Sequence, residues 1–562
     1  MMKKFSKKIW ALVFAGMMAV SCVGCGSQGD TSSTAGSAAA GSAAAGSAAS
    51  GSAAEGTAGG ASDTASAETG YKDEMHIALA TEPTNLDIVV NTATVSTEIA
   101  YGTIFEALVS MDENYQPVAE LAESWDVSED STEYTWYLRQ GILFHNGQEM
   151  TAEDAAASMN RWLANAGNAQ SMIGDAEFVA EDTYTLKLKM DHACAYVNEL
   201  IAGLGQRAAI MPKSVIDAID ETGIVSEYIG TGPYKFVDWA EHQQIHITRN
   251  DDYQPYGEEG VFSGWAGYKS AYTKDIYFEI VTDASTITAG MQSGEYDATT
   301  GITADNIYLF EDDSSYIVEG QECEMAFLIF NKKEGLGADP AIRRAVQAAI
   351  DSEEVMLGTY GSEEMYSLYS SYAFSNIADW YTEAGSEYYN QGDPEKAAQL
   401  LADAGYTTDK PFRILVASDD AGFYSMAVIM QNQLQEAGMN VEILSYDWAT
   451  FVSVRNDQPE NYDAFITSFS PKILPTMNLY LSDTWAGWVN DERILGDLTS
   501  INTDTSKESA VEKWVALQEY MYEESVPVVK LGSSMTFMVG SSKLEGVRFF
   551  EHIVYSNCKV QE

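Results

Sequence analysis

Histidines and paired carboxylates are the first places to look for chemistry, and in this chain they are sparse or unspecific. His242 and His246 stand four apart in an alternating segment. On a strand they would share a face, so a metal pair is geometrically open. No third ligand is nearby, and the polar neighbours fit a solvated strand better. His145, in Phe144-His145-Asn146-Gly147, reads as a turn residue. The 84 acidic residues ensure that some carboxylates lie close together by chance, and nothing in their spacing specifies a catalytic pair. There is no Gly-x-Ser-x-Gly elbow and no His-Glu-x-x-His helix. Gly230-Thr231-Gly232-Pro233-Tyr234 lacks the Gly-Lys-Ser/Thr ending of a phosphate loop and reads as a tight turn entering a strand. No catalytic residue, metal site or cofactor is expected.

Aromatic residues between Trp448 and Trp488 make a stronger case for binding. Tyr446-Asp447-Trp448 ends a predicted strand, where open α/β sheets tend to take ligands. A second strand led by Tyr462-Asp463-Ala464-Phe465 runs into Ser468-Phe469-Ser470. Trp485-Ala486-Gly487-Trp488 follows neither helical nor strand period, so both a cleft-facing and a core position stay open for these rings. Arg455 could hold a ligand carboxylate or pair with one of the many acids.

The N-terminal seventy residues bear on where these groups work. Lys3, Lys4, Lys7 and Lys8 precede an apolar run from Ile9 to Val20, too short to span a bilayer, which then meets small residues. This is the pattern of an export signal over residues 1–24. Cys25, between Gly24 and Gly26-Ser27, is the expected lipidated cysteine, with Cys22 as the alternative. Residues 25–70 are almost only Gly, Ser, Ala and Thr, and such a segment has little to bury. As a flexible tether it would span roughly 35–40 Å.

Bulk properties narrow the rest. The formal charge of −53 opposes binding to nucleic acid or anionic lipid, and no basic stripe offsets it. Beyond the N-terminal pair only Cys194, Cys323 and Cys558 remain, too few and too scattered for a disulfide framework or a zinc site. The body after the tether is too long for one core, so two or three domains or lobes are expected.

Local signals make the body mixed α/β. Asp339-Pro340 opens an amphipathic helix with Ile342, Ala345, Val346, Ala349 and Ile350 on one face. Asp393-Pro394 opens another, with Ala397, Leu400, Leu401 and Ala404 as its stripe and Gly405 as its stop. A strand at Phe412–Ala417, a helix around Tyr424–Ala437 and a strand at Val441–Tyr446 read as a crossover on a parallel or mixed sheet. Glu133–Leu138 and Thr183–Lys189 alternate as half-buried strands, and Thr151-Ala152-Glu153-Asp154 is a capping box for a helix running to about Leu163.

Four segments in order carry a resemblance. Pro117–Trp125 runs on to Tyr134–Arg139, Gly141–Gly147 and Thr151–Asp154. Gly230–Phe236 follows. Phe330-Asn331 leads to Asp339-Pro340-Ala341-Ile342-Arg343-Arg344-Ala345 and Ala349-Ile350-Asp351, and last comes Asp393–Leu401 with Ala404-Gly405-Tyr406. The chain resembles the extracytoplasmic solute-binding proteins of family 5, the peptide, dipeptide and nickel type that serve ATP-binding-cassette importers, over essentially everything after about Met75. The resemblance implies a two-lobed, periplasmic-binding-protein-like (type II) α/β fold with an extra N-terminal subdomain. It also implies a monomeric, extracytoplasmic protein held to the membrane by its lipid. Such a protein captures a peptide or other small solute between its lobes and passes it to permease subunits. An extracellular enzyme or metal-binding protein on the same scaffold is the alternative.

On this scheme residues 71–325 form the first lobe with a subdomain inserted at about 108–228. Residues 326–525 form the second lobe, and 526–562 return to the first. The chain would cross between lobes at Glu324–Phe330 and Val526–Leu531. The resemblance places Asn85, Asn91, Thr92 and Asn331 towards the cleft, beside Trp448, Arg455, Phe469, Trp485 and Trp488. One departure stands out. Peptide-binding relatives carry an aspartate before a proline after the Tyr-Asp strand, to pair with the peptide ammonium. Here Leu474 precedes Pro475, and Lys472 adds positive charge. Free peptides are therefore expected to bind poorly, and neutral or anionic oligomers better.

Overall fold

The computed structural model describes residues 70–203 and 205–562. The expected export signal, the lipidated Cys25 and the tether lie outside the described residues.

Two long strands organise the body. Tyr316–Phe330 and Val528–Ser541 pair antiparallel along most of their length, and each also belongs to a different half of one large mixed sheet. On one side Val528–Ser541 pairs with Ala298–Thr299, which leads through Glu74–Leu79, Asp275–Ile280 and Gln244–Arg249 to Tyr234–Ala240. On the other side Met325–Phe330 pairs with Ala464–Phe469, followed by Phe412–Ala417 and Val441–Tyr446. The register of the long pair shifts between Glu322 and Glu324 and again between Ala326 and Phe327. The first irregularity falls where the strand leaves the half containing Ala298–Thr299 and enters the half containing Ala464–Phe469. Bulges of this kind bend a strand and re-aim its side chains.

Alternation along the strand then builds two cores at once. Met325, Phe327 and Ile329 pack into one apolar cluster, while Ala326, Leu328 and Phe330 pack into another. The second cluster takes the buried face of the helix Pro340–Ala349, including Ile342, Ala345, Val346 and Ala349. That helix starts at Asp339, whose carboxylate accepts from the Ala341 amide at 2.8 Å. Asp393 caps Pro394–Asp403 in the same way, accepting from the Lys396 amide at 2.8 Å. Phe412–Ala417 and Val441–Tyr446 are parallel neighbours joined by the helix Ala421–Glu436. This helix begins earlier than its apolar periodicity suggests because Asp420 caps it, accepting from the Phe423 amide at 2.9 Å.

A separate four-stranded antiparallel sheet, ordered Ala122–Val127, Glu133–Leu138, Thr185–Lys189, Glu177–Ala180, lies between the N-terminal strand and the Gly230 turn in sequence. The helix Ala152–Asn165 packs near it, with Asp154 accepting from the Thr151 amide at 3.0 Å as the capping box requires. His145 ties this region to the Gly230 turn. Its Nδ1 accepts from the Gly230 amide at 3.3 Å and its Nε2 donates to the Gly232 carbonyl at 3.0 Å. Burial lowers the ring to about 4, in keeping with a neutral, structural imidazole. Glycine is required here by close approach: a Cβ on Gly232 would lie 2.1 Å from the Thr103 carbonyl oxygen.

Candidate solute cleft

A cavity of about 570 Å³ opens at the Glu322–Glu324 bulge. Its walls come from distant parts of the chain. Thr92, Thr97 and Glu98 belong to the loop and helix after the first strand, and Gln321 to Glu324 belong to the first long strand. Ser470, Pro471 and Lys472 follow Ala464–Phe469, and Glu551 and His552 come from the C-terminal hairpin. Both halves of the sheet therefore contribute. The volume lies within the range of about 300–1,000 Å³ typical of small-ligand sites.

The wall is rich in charge, and part of it has no partner. Glu322 accepts through Oε2 from the Ser375 hydroxyl at 2.8 Å and the Tyr369 hydroxyl at 3.1 Å, while its buried Oε1 has none. Glu551 accepts through Oε2 from the Arg207 guanidinium at 2.6 Å, and its Oε1 is likewise unpartnered. The backbone of Glu551 adopts φ +65°, sparsely populated for such a residue, and its amide donates to Gln321 Oε1 at 2.9 Å. Arg207 lies under the Tyr101 ring, 4.5 Å from its centroid, with its Nε unpartnered. His552 is 2 % exposed; its Nδ1 faces the Ile553 carbonyl at 3.1 Å and its Nε2 has no partner.

Burial sets the protonation of these groups. It raises the Glu98 carboxyl to about 7 despite the hydrogen bond from Tyr555 at 2.5 Å. It also raises Glu551, with Arg207 opposing. The same burial, helped by Arg207, holds His552 well below its ordinary range and so neutral. It lowers the Lys472 ammonium, against the pull of Glu324 and Glu551.

Of the residues expected to contact solute, only Thr92 lines this cavity, where Lys472, noted in the sequence for its charge, joins it. Asn85 and Asn91 brace the preceding loop: Asn91 Nδ2 donates to the Asn85 carbonyl at 2.9 Å, and Asn85 Oδ1 accepts from the Asp87 amide at 3.0 Å. Asn331 is fully buried rather than cleft-facing, donating to the Pro459 and Tyr462 carbonyls at 2.6 and 3.0 Å. Trp485 packs between Phe465 and Phe469, with ring centroids 5.7 and 5.6 Å away, and Phe469 continues to Tyr480 at 5.2 Å. Arg455 neither meets an acid nor faces the cavity; its guanidinium lies 4.9 Å from the Trp485 centroid. Trp488, half-buried at φ +42°, carries Lys333 over its ring at 4.8 Å. Trp448 opens a helix capped by Asp447 and is 49 % exposed, stacked on Phe451. These aromatics form packing and surface, and the cavity lies elsewhere.

The carboxylates were missed because they are scattered over more than four hundred residues of sequence. The only local sign was Glu322-Cys323-Glu324, acids standing directly before the apolar run Met325–Phe330. The reason given for expecting poor binding of free peptides also fails. Leu474 supplies no charge and is buried, but Glu322, Glu324 and Glu551 supply carboxylates in the cavity that the sequence did not place there. His242 stands in the turn before the strand Gln244–Arg249 that carries His246, so the two do not share a strand face. They bond separately to Glu82 at 2.6 Å and Asp275 at 2.9 Å, and no metal-holding cluster occurs among the described residues.

The sequence model of the bacterial extracellular solute-binding proteins, family 5, matches residues 116–488, well over half of the chain. The chain belongs to this family. Its fold is the two-lobed, periplasmic-binding-protein-like α/β fold, and the family's role is solute binding outside the cytoplasm rather than turnover. Among the relatives, the chain is 27 % identical over 503 residues to the probable peptide ABC transporter periplasmic-binding protein y4tO of Sinorhizobium fredii, covering 86 % of this chain and 92 % of that protein. The oligopeptide-binding protein AppA of Bacillus subtilis, solved with a nonapeptide, superposes with a TM-score of 0.67 at 18 % identity, covering 87 % of this chain and 99 % of that one. The substrate-binding protein CtaP of Listeria monocytogenes gives 0.71 at 19 % identity, over 84 % and 95 %.

Proposed function

We propose that the chain is a membrane-tethered solute-binding lipoprotein. It captures a peptide or other small oligomeric solute between two lobes and delivers it to an ATP-binding-cassette importer. The observation that carries this reading is the cavity with unpartnered buried polar atoms at the bulge where the long strands pass between the two halves of the sheet. An unpartnered buried polar atom costs stability, and a ligand that pairs with it recovers the loss. Membership of the family and the printed names of its peptide-binding relatives support a peptide-like solute.

In this reading residues 1–24 direct export, Cys25 carries the lipid, and residues 25–70 are the tether. Residues 71–325 and 526–562 form one lobe and 326–525 the other. Glu324–Phe330 and Val526–Leu531 act as the hinge that lets the lobes close over solute. Thr92, Glu322, Lys472, Glu551 and His552 are the contact residues. Native mass spectrometry of the purified full chain is the test of capture: a co-purified solute at one per chain, released unchanged, is the expected result. Conversion of that solute on incubation would replace the binding reading with an enzymatic one. Cys25→Ser should release the exported protein from membranes, while Cys22→Ser should not.

A further inference from the structure

Resting on that reading, we infer that the solute is cationic: a linear molecule bearing at least two protonated nitrogens, such as a basic peptide or a polyamine. The cavity holds more negative than positive side chains and leaves buried acceptors unpaired. Four carboxyl groups line it, from Glu98, Glu322, Glu324 and Glu551, against two cationic side chains, Arg207 and Lys472. Arg207 commits two of its nitrogens, to Glu551 and to the Gly203 carbonyl at 3.0 Å, and keeps its Nε unpartnered. Glu322 Oε1 and Glu551 Oε1 remain buried acceptors without donors.

His552 supplies a separate observation on the same wall. A carbonyl can only accept, so the Nδ1 facing Ile553 must donate, which leaves the unpartnered Nε2 of the neutral ring as a further acceptor. Carboxyl groups thus outnumber cationic side chains in the cavity, and the unpartnered acceptors come from two separate parts of the chain. A ligand rich in N–H groups and positive charge satisfies them. A neutral or anionic one would seal carboxylates away from water without compensation. This reverses the preference suggested by Leu474 and Lys472 in the sequence.

Calorimetric titration of the full chain with trilysine, spermine, trialanine and triglutamate tests the assignment. Trilysine or spermine should bind about tenfold or more tightly than trialanine, with the margin shrinking as salt is raised. Tighter binding of trilysine than spermine assigns the charge to a peptide, and the reverse to a free polyamine; either supports the inference. Equal or tighter binding of trialanine or triglutamate overturns it while leaving solute capture standing. If none of the four binds, the cationic assignment falls, and the co-purified solute shows separately whether capture holds. Glu322→Gln and Glu551→Gln should each weaken trilysine about fivefold or more and narrow its margin over trialanine. Should either variant fail to fold, the panel on the unaltered protein decides alone.

Discussion

Two groups of buried charge in this protein differ in one respect, and the difference separates architecture from binding. In the first, Lys269 bridges Glu106 at 2.9 Å and Glu120, all three side chains almost fully buried. Glu106 also accepts from the Tyr253 hydroxyl at 2.7 Å and the Thr231 hydroxyl at 2.9 Å, and Glu120 from the Ala107 amide at 3.0 Å. Burial alone would lower the Lys269 ammonium, but Glu106 and Glu120 outweigh it and hold it well above its ordinary range. In the second, the wall formed by Glu322, Glu551, Arg207 and His552, each residue keeps at least one buried polar atom unpaired. A satisfied network fixes a fold, whereas an unsatisfied one lining a cavity awaits a partner.

Removing the bridge should have the largest effect. Lys269→Met leaves two buried carboxylates without their cation and should cost about 3–5 kcal/mol or prevent folding. Urea denaturation measures this, and a loss below about 1 kcal/mol would break the contrast by showing the first network to be dispensable. Trp485→Ala comes next. The ring packs on Phe465, Phe469 and Arg455, so the variant should lose about 2–3 kcal/mol of unliganded stability with solute affinity nearly unchanged. A selective loss of affinity would return this ring to the site.

Glu98 sharpens the comparison through pH. Its carboxyl is raised from an ordinary 4.5 to about 7 by burial, so between these values the folded protein holds a proton that the unfolded chain has released. This contribution favours the folded state at low pH and is lost as pH rises through the window. Glu98→Gln should therefore stabilise the unliganded protein by on the order of 2 kcal/mol at pH 8, with the gain fading towards pH 4.5. Thermal denaturation across that range checks it, and a gain independent of pH would refute the assignment. Trp448→Ala should have the smallest effect: with the ring half exposed beside Phe451, under about 1 kcal/mol of stability and no change in solute affinity.

The sequence by itself determined what depends on neighbours in the chain. Asp339-Pro340 and Asp393-Pro394 start helices because an aspartate cap and a proline at the first turn act within three residues. The alternation in Glu133–Leu138 and the parallel pair around Ala421–Glu436 were legible for the same reason, as was membership of the family through ordered motifs. The site was not. Whether Trp485 meets solute or Phe465, and whether Asn331 faces a cleft or holds the Pro459 carbonyl, depends on which distant strands lie alongside. Only the tertiary structure brought Glu98, Glu322 and Glu551 to one wall, because a binding site is made by long-range packing that one-dimensional periodicity does not encode.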